Sequence, residues 1–155
     1  MPGLDLATTV LWVLVGLATV WDVAQRRIPN RLVLVGLFSG MALQAWSDGI
    51  VGLGLSALGG LAALLLLIGP FAARVLGGGD VKLAMVCGVF LGWKGAVHVV
   101  LLGTLSHGFV ALLWVGGRAA LRRLGRPSLE DTGIPHAVGF AIATALYTLG
   151  TVRIF

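Results

Sequence analysis

LGGGDVKLA, Leu76 to Ala84, sets three glycines directly before Asp80 and between two apolar segments. Glycine has no Cβ, so Gly77, Gly78 and Gly79 permit sharp turns, positive φ and the close approach of another chain, and such a run interrupts helices. An acid placed where a spanning helix starts again is costly in or near hydrocarbon and is a functional candidate. A blander reading competes, because Asp is a favoured N-cap and Asp80 need only accept backbone N–H bonds at the start of the next helix. A second carboxylate, Asp22, shifts the balance toward function.

Composition sets the class. The 155 residues are 58% hydrophobic and 11% charged, and the mean hydropathy is +1.02. A soluble core of this size needs a polar shell that these residues do not supply, whereas lipid accepts apolar surface directly. The expectation is an all-α polytopic membrane protein forming one domain over residues 1–155, with no low-complexity segment and no long soluble extension. The amino terminus lacks a basic region ahead of its apolar run, which therefore reads as a retained span and not a cleaved signal. The single Cys87 excludes an internal disulfide and a multi-cysteine zinc site, and reads as a small packing residue.

Uncharged stretches run from Leu6 to Trp21, Leu32 to Ser47, Gly49 to Ala73, Leu83 to Trp93, Gly95 to Gly117 and Thr132 to Val152, which predicts six transmembrane helices. A helix needs about 20 residues to cross about 30 Å of hydrocarbon. The fourth stretch has only 11 uncharged residues. It must borrow from its flanks, with Lys82 and Lys94 extending toward the interfaces and Asp80 drawn to the hydrocarbon edge, or else it is a re-entrant segment.

With the amino terminus outside, the cytoplasmic loops hold Arg26, Arg27, Arg31, Arg74, Lys82, Arg118, Arg122, Arg123 and Arg126, nine of the eleven basic residues. The positive-inside rule favours that orientation. It places Asp22, at the end of span one, and Asp80, at the start of span four, on the same cytoplasmic edge, and puts Asp5 and Asp48 on the other face. Most of the net charge of +5 then serves orientation and attraction to anionic lipid. Nucleic acid is not expected, since Trp21, Trp46, Trp93 and Trp114 sit near span ends as belt residues and are not interleaved with the charges.

In WDVAQRRIPNRLVL, Pro29 blocks helix continuation and Asn30 is expected to cap the helix that follows, giving a tight, rigid turn. Gly52, Ser56 and Gly60 recur at four-residue spacing, a small-residue stripe suited to close helix packing. His98 and His107 fall on roughly opposite faces of one helix and are weak metal candidates. His136 begins the last span on the aspartate side, where capping or packing is the default role. Glu130 and Asp131 lie in a basic loop and read as solvated or paired with arginine.

No Ser-His or Cys-His arrangement, P-loop or dinucleotide fingerprint is present. Two carboxylates suffice for peptide hydrolysis when they share a proton. The ionised one takes a proton from the attacking water, and the neutral one hydrogen-bonds the carbonyl oxygen and later supplies the leaving amine.

WDVAQRRIPN followed by GGGDVKLA resembles the type IV prepilin peptidases, in particular the short forms associated with tight-adherence pili. The resemblance extends over almost the whole chain: the six-span layout, the Arg-rich IPN turn after the first aspartate, and an IP-containing last span. It implies a GxGD-type aspartic protease with Asp22 and Asp80 catalytic, Gly77, Gly78, Gly79, Lys82, Pro29 and Asn30 shaping the site, and no cofactor or metal. It also implies a bacterial inner membrane location and a prepilin-like substrate, whose basic leader is cut on the cytoplasmic side, typically after glycine. Longer members also methylate the new amino terminus and carry a domain with paired CxxC motifs. That domain is not found among these residues, so peptidase activity without methylation is expected. His136, in IPHAVGFA, stands where an aromatic residue is expected.

If Asp22 ends one helix and Asp80 begins another, the helix dipoles favour charge at Asp80 and oppose it at Asp22, while Arg26 one turn away favours charge at Asp22. Lys82 either steers acidic groups of the substrate or anchors its span at the interface. Two other classes share some of these features. Presenilin-like intramembrane proteases share GxGD but are larger and lack the IPN turn. A small ion- or proton-coupled transporter would use buried acids, though at the midplane and within inverted repeats that are not evident.

Overall fold

The computed structural model describes residues 6–74, 76–123 and 137–150, with the side chains of residues 107, 109–123, 137 and 138 outside that description. His107 and Trp114 as side chains, and His136, Glu130 and Asp131 entirely, therefore lie outside the described residues.

Four helices follow one another among the described residues: α1 (Leu6–Gln25), α2 (Asn30–Ala72), α3 (Gly78–Arg123) and α4 (Ala137–Thr148). Three stretches are long and apolar enough to cross a membrane: α1, α2 and the Gly78–Ser106 part of α3. At 20 residues, α1 spans about 30 Å, one hydrocarbon thickness. It is apolar on every side. Leu11, Leu14, Val15 and Ala18 are buried while Leu6, Val13, Leu17 and Val20 are exposed, the pattern of a helix with lipid on its outer face.

A straight α2 of 43 residues would reach about 65 Å. It does not run straight. At Gly49 the backbone takes φ 61° and ψ −141°, a region open in practice only to glycine, and the chain doubles back until Gly52 packs against the Gln44 carbonyl. Gly92, with φ 69° and ψ −177°, breaks α3 in the same way. The expected boundaries between the second and third stretches and between the fourth and fifth thus coincide with reversals inside hydrogen-bonded helices.

The 78–91 limb of α3 lies between the two limbs of α2. On one side a methyl at Gly36 would press on Val86 and one at Gly40 on Phe90, and Gln44 Nε2 donates to the Phe90 carbonyl at 2.6 Å. On the other, Gly59 meets Gly88 backbone to backbone and Gly60 sits against Val89. The small-residue stripe therefore packs helices as expected, with Gly52, Ser56 and Gly60 all buried. Beyond Gly92 the chain returns along the first limb, and α4 closes the bundle with Phe140 against Gly103 and the His98 and Tyr147 rings 5.2 Å apart.

Chain direction then sorts the ends. The termini of α1 and α2 at residues 25 and 30, the end of α2 at residue 72 and the start of α3 at residue 78 share one end of the bundle. Asp48, Gly49 and Gly92 mark the other. Asp22 and Asp80 are therefore on one side and Asp48 on the opposite side, as the span count predicts.

Candidate active site

Asp22 lies in the last turn of α1. Its position continues the buried face formed by Leu11, Leu14, Val15 and Ala18, since spacings of three and four residues return to one side of a helix. The acid therefore points into the bundle and is 8% exposed. Arg26 ends the helix by adopting φ 54°, with its N–H bonded to the Asp22 carbonyl at 2.8 Å. Pro29, extended at φ −61° and ψ 133°, starts α2.

Asp80 is 2% exposed and sits in the first turn of α3. It is not the N-cap. Gly78 is the first helical residue, and the Asp80 carboxylate reaches back to accept the Gly77 N–H at 3.2 Å, satisfying one of the donors that a helix start leaves without an intrahelical partner. Only one carboxylate oxygen takes part in that bond. The three glycines also depart from expectation. Among the described residues, positive φ occurs at Gly49, Gly92, Gly150, Arg26 and Arg74, and not at Gly77, Gly78 or Gly79. Nor is the run packed tightly: Ile28 lies 3.5 Å from where a Cβ on Gly79 would stand, and Phe71 lies at the same distance from that of Gly78, ordinary van der Waals contacts.

Asn30 requires a second correction. The N-cap position of α2 belongs to Pro29 and has no side-chain cap. The Asn30 side chain instead accepts a hydrogen bond from Lys82 Nζ at 2.7 Å. A partner 52 residues away displaces the local capping role.

Asp22, Asp80, Gly77, Gly78, Gly79 and Lys82 line one cleft of about 210 Å³ together with Arg26, Arg27 and Ile28. Pro29 and Asn30, expected to shape the site, are not among the residues that line it. Asp22 and Asp80 are the two carboxylates buried among the described residues. The C-terminal end of one helix and the N-terminal end of another meet in this cleft, so dipole ends of opposite sign face its two acids. Three cations, Arg26, Arg27 and Lys82, line the same cleft as the two carboxylates. Sequence reasoning did not place three of the lining residues in the site: Arg26 and Arg27, read there as orienting charges, and Ile28, buried in an otherwise basic turn. The only sequence signal for Ile28 was an apolar side chain between Arg27 and Pro29.

His98 and Cys87 lie away from the cleft lining. His98 is buried, and its Nδ1 is 2.7 Å from the Lys94 carbonyl. Among the described residues no group of three potential ligands could hold a metal ion. Cys87 packs beside Thr144, with 3.3 Å between Sγ and Oγ1.

Fold and cleft together define a helical membrane protein with paired carboxylates at one end of its bundle. The chain belongs to the type IV leader peptidase family, whose model matches residues 9–113, a range that includes both acids. It is similar to the prepilin leader peptidase/N-methyltransferase of Pectobacterium carotovorum subsp. carotovorum, 31% identical over 150 residues covering 90% of this chain and 49% of that protein. The corresponding protein of Aeromonas hydrophila is 32% identical over 113 residues, 68% of this chain and 38% of the relative. This chain thus spans half or less of the length of these curated relatives. No solved structure matches it.

Proposed function

We propose that this chain is a membrane-embedded aspartic endopeptidase that removes the basic leader from prepilin-like precursors, with Asp22 and Asp80 as its catalytic pair. The observation that carries this reading is that the two carboxylates buried among the described residues line the same cleft, in a chain of the leader peptidase family. One acid, ionised, takes a proton from the attacking water. The other, neutral, hydrogen-bonds the scissile carbonyl and then protonates the leaving amine. This division of labour needs the two carboxylates to share one proton, as paired carboxylates do because their mutual repulsion opposes double ionisation. Gly77, Gly78 and Gly79 leave their own stretch of the cleft wall free of side chains, so that an extended peptide can approach the backbone beside Asp80.

The membrane layout we propose has six crossings: α1, the two limbs of α2, the two limbs of α3, and α4. Arg26, Arg27, Arg31, Arg74 and Lys82 share the aspartate end and Lys94 lies at the other, a distribution that supports a cytoplasmic cleft under the positive-inside rule. Trp46 and Trp93, both exposed, then mark the outer interface. Leader cleavage is the activity assigned; methyl transfer, in the names of the relatives, is not assigned to these residues.

The experiment is co-expression of a precursor carrying a basic leader and a glycine before the cut with wild type, Asp22→Asn and Asp80→Asn. Cleavage by wild type and a loss of about a hundredfold or more in each variant, inserted at equal level, is the expected result. Full activity in either variant removes the pairing, and ion uptake abolished by Asp22→Asn in proteoliposomes without peptide cleavage would move the chain to transport.

A further inference from the structure

We infer that the Asn30–Lys82 hydrogen bond is a latch that holds Asp22 in register with Asp80, making Asn30 and Lys82 positioning residues for the proposed cleavage. This rests on the two-aspartate reading above. Asp22 and Asp80 belong to different helices, and Leu11, Leu14, Val15 and Ala18 of α1 pack into the apolar core of the bundle, contacts that are non-directional. Leu14 and Ala18 share an apolar notch with Leu32, Val33, Leu83 and Val86. Such contacts allow a helix to shift along its neighbours; an oriented polar contact does not.

The turn after Asp22 carries two ties to the backbone around Asp80. Ile28 lies over Gly79, and Asn30 Oδ1 accepts from Lys82 Nζ at 2.7 Å. The second joins the residue that opens α2 to one placed two positions after Asp80. Asn30 stands where its side chain could serve the start of its own helix, yet the N-cap position has no side-chain cap and the amide is turned across to α3. A charge-assisted bond is short and directional. Lys82 also lines the cleft, so fixing its ammonium on Asn30 holds that side chain at the rim and leaves space between the acids for peptide and water. Displacements of about 1 Å in a catalytic array cost up to about a hundredfold in rate.

The test is steady-state cleavage of a precursor-derived peptide by enzyme purified in detergent, comparing wild type with Asn30→Ala, Lys82→Met, Lys82→Arg and the Asn30→Ala/Lys82→Met double variant. Asp22→Asn is the control for the underlying reading. The latch predicts that Asn30→Ala and Lys82→Met each lower kcat by about tenfold or more with KM within about twofold. It also predicts that the double variant is no worse than the poorer single one, and that Lys82→Arg retains most activity. Asn30→Ser, too short to reach Lys82, repeats the comparison should Asn30→Ala fail to insert. An unchanged kcat in Asn30→Ala, multiplicative losses in the double variant, or a loss confined to KM overturns the latch. If Asp22→Asn is inactive while the Asn30 variants are normal, only the latch falls. If Asp22→Asn is active, the two-aspartate reading falls and the latch goes with it.

Discussion

Gly59 and Gly88 meet with no side chain between them: a methyl on Gly59 would collide with the Gly88 carbonyl, and one on Gly88 with the Gly59 carbonyl. This contact seats the 50–72 limb of α2 against the limb of α3 that carries Asp80. A backbone carbonyl in a helix cannot rotate aside as a flexible side chain can, so the helices themselves must part. Gly59→Ala and Gly88→Ala should each cost about 1–3 kcal/mol, the range for overpacking. Gly54→Ala, at a position where nothing lies within 4 Å, should cost little. Unfolding titration in mixed micelles reads the difference, and equal stability of the three variants would contradict the close approach.

The two reversals make a separate demand on glycine. Open space surrounds both Gly49 and Gly92, so alanine there meets no neighbour. The penalty is in the backbone, at φ 61° and 69° with ψ near the extended limit. Alanine at either site should destabilise by about 1–3 kcal/mol despite the available room. Comparison with Gly16→Ala, also in open space but helical, separates strain from packing. A Gly49→Ala variant as stable as Gly16→Ala would show that the chain does not need this conformation to turn.

These glycines illustrate how far sequence carried. Asp48 beside Gly49 and Gly92 near Lys94 punctuate long apolar runs, so the places where the chain turns were legible from charge and composition. The common side of Asp22 and Asp80 followed from counting those turns. The internal workings of the cleft were less visible. Asn30 obeys a partner that is distant in sequence, and no local rule for capping contains Lys82. The Gly77–Gly79 run suggested positive φ, but at this end of the bundle positive φ falls on Arg26 and Arg74. The stripe at Gly52, Ser56 and Gly60 pointed to the packing face, yet the backbone contact is made by Gly59, one residue off the stripe. Spacing identifies a face; the partner helix selects the residue.

Cys87 is fully buried, with its sulfur against Thr144 Oγ1 and Thr144 in turn donating to the Phe140 carbonyl at 2.8 Å. A thiol reagent must open the contact between α3 and α4 to reach it. Maleimide labelling should therefore be negligible in mild detergent and complete after denaturation in SDS. Labelling of the native protein at the rate of a free thiol would show that α4 does not stay packed on α3.

Gly79 provides a graded probe of the cleft. A Cβ there would stand 3.5 Å from Ile28 Cδ1 and 3.6 Å from Cγ1, ordinary van der Waals separations, so alanine fits without displacing anything. Alanine also restricts the unfolded chain more than glycine does, and at a helical position this should leave stability equal or raised by up to about 1 kcal/mol. Leucine extends further. Its branches must either push Ile28 off the turn that follows Asp22 or project into the space lined by both aspartates. Gly79→Leu should therefore insert and fold but lose most cleavage, whereas Gly79→Ala should keep it. Insertion level and cleavage of the same co-expressed precursor distinguish the two. Full activity in Gly79→Leu would mean that the peptide does not approach Asp80 along the glycine rim, and would direct the search for its path to the side of the cleft formed by Arg26 and Arg27.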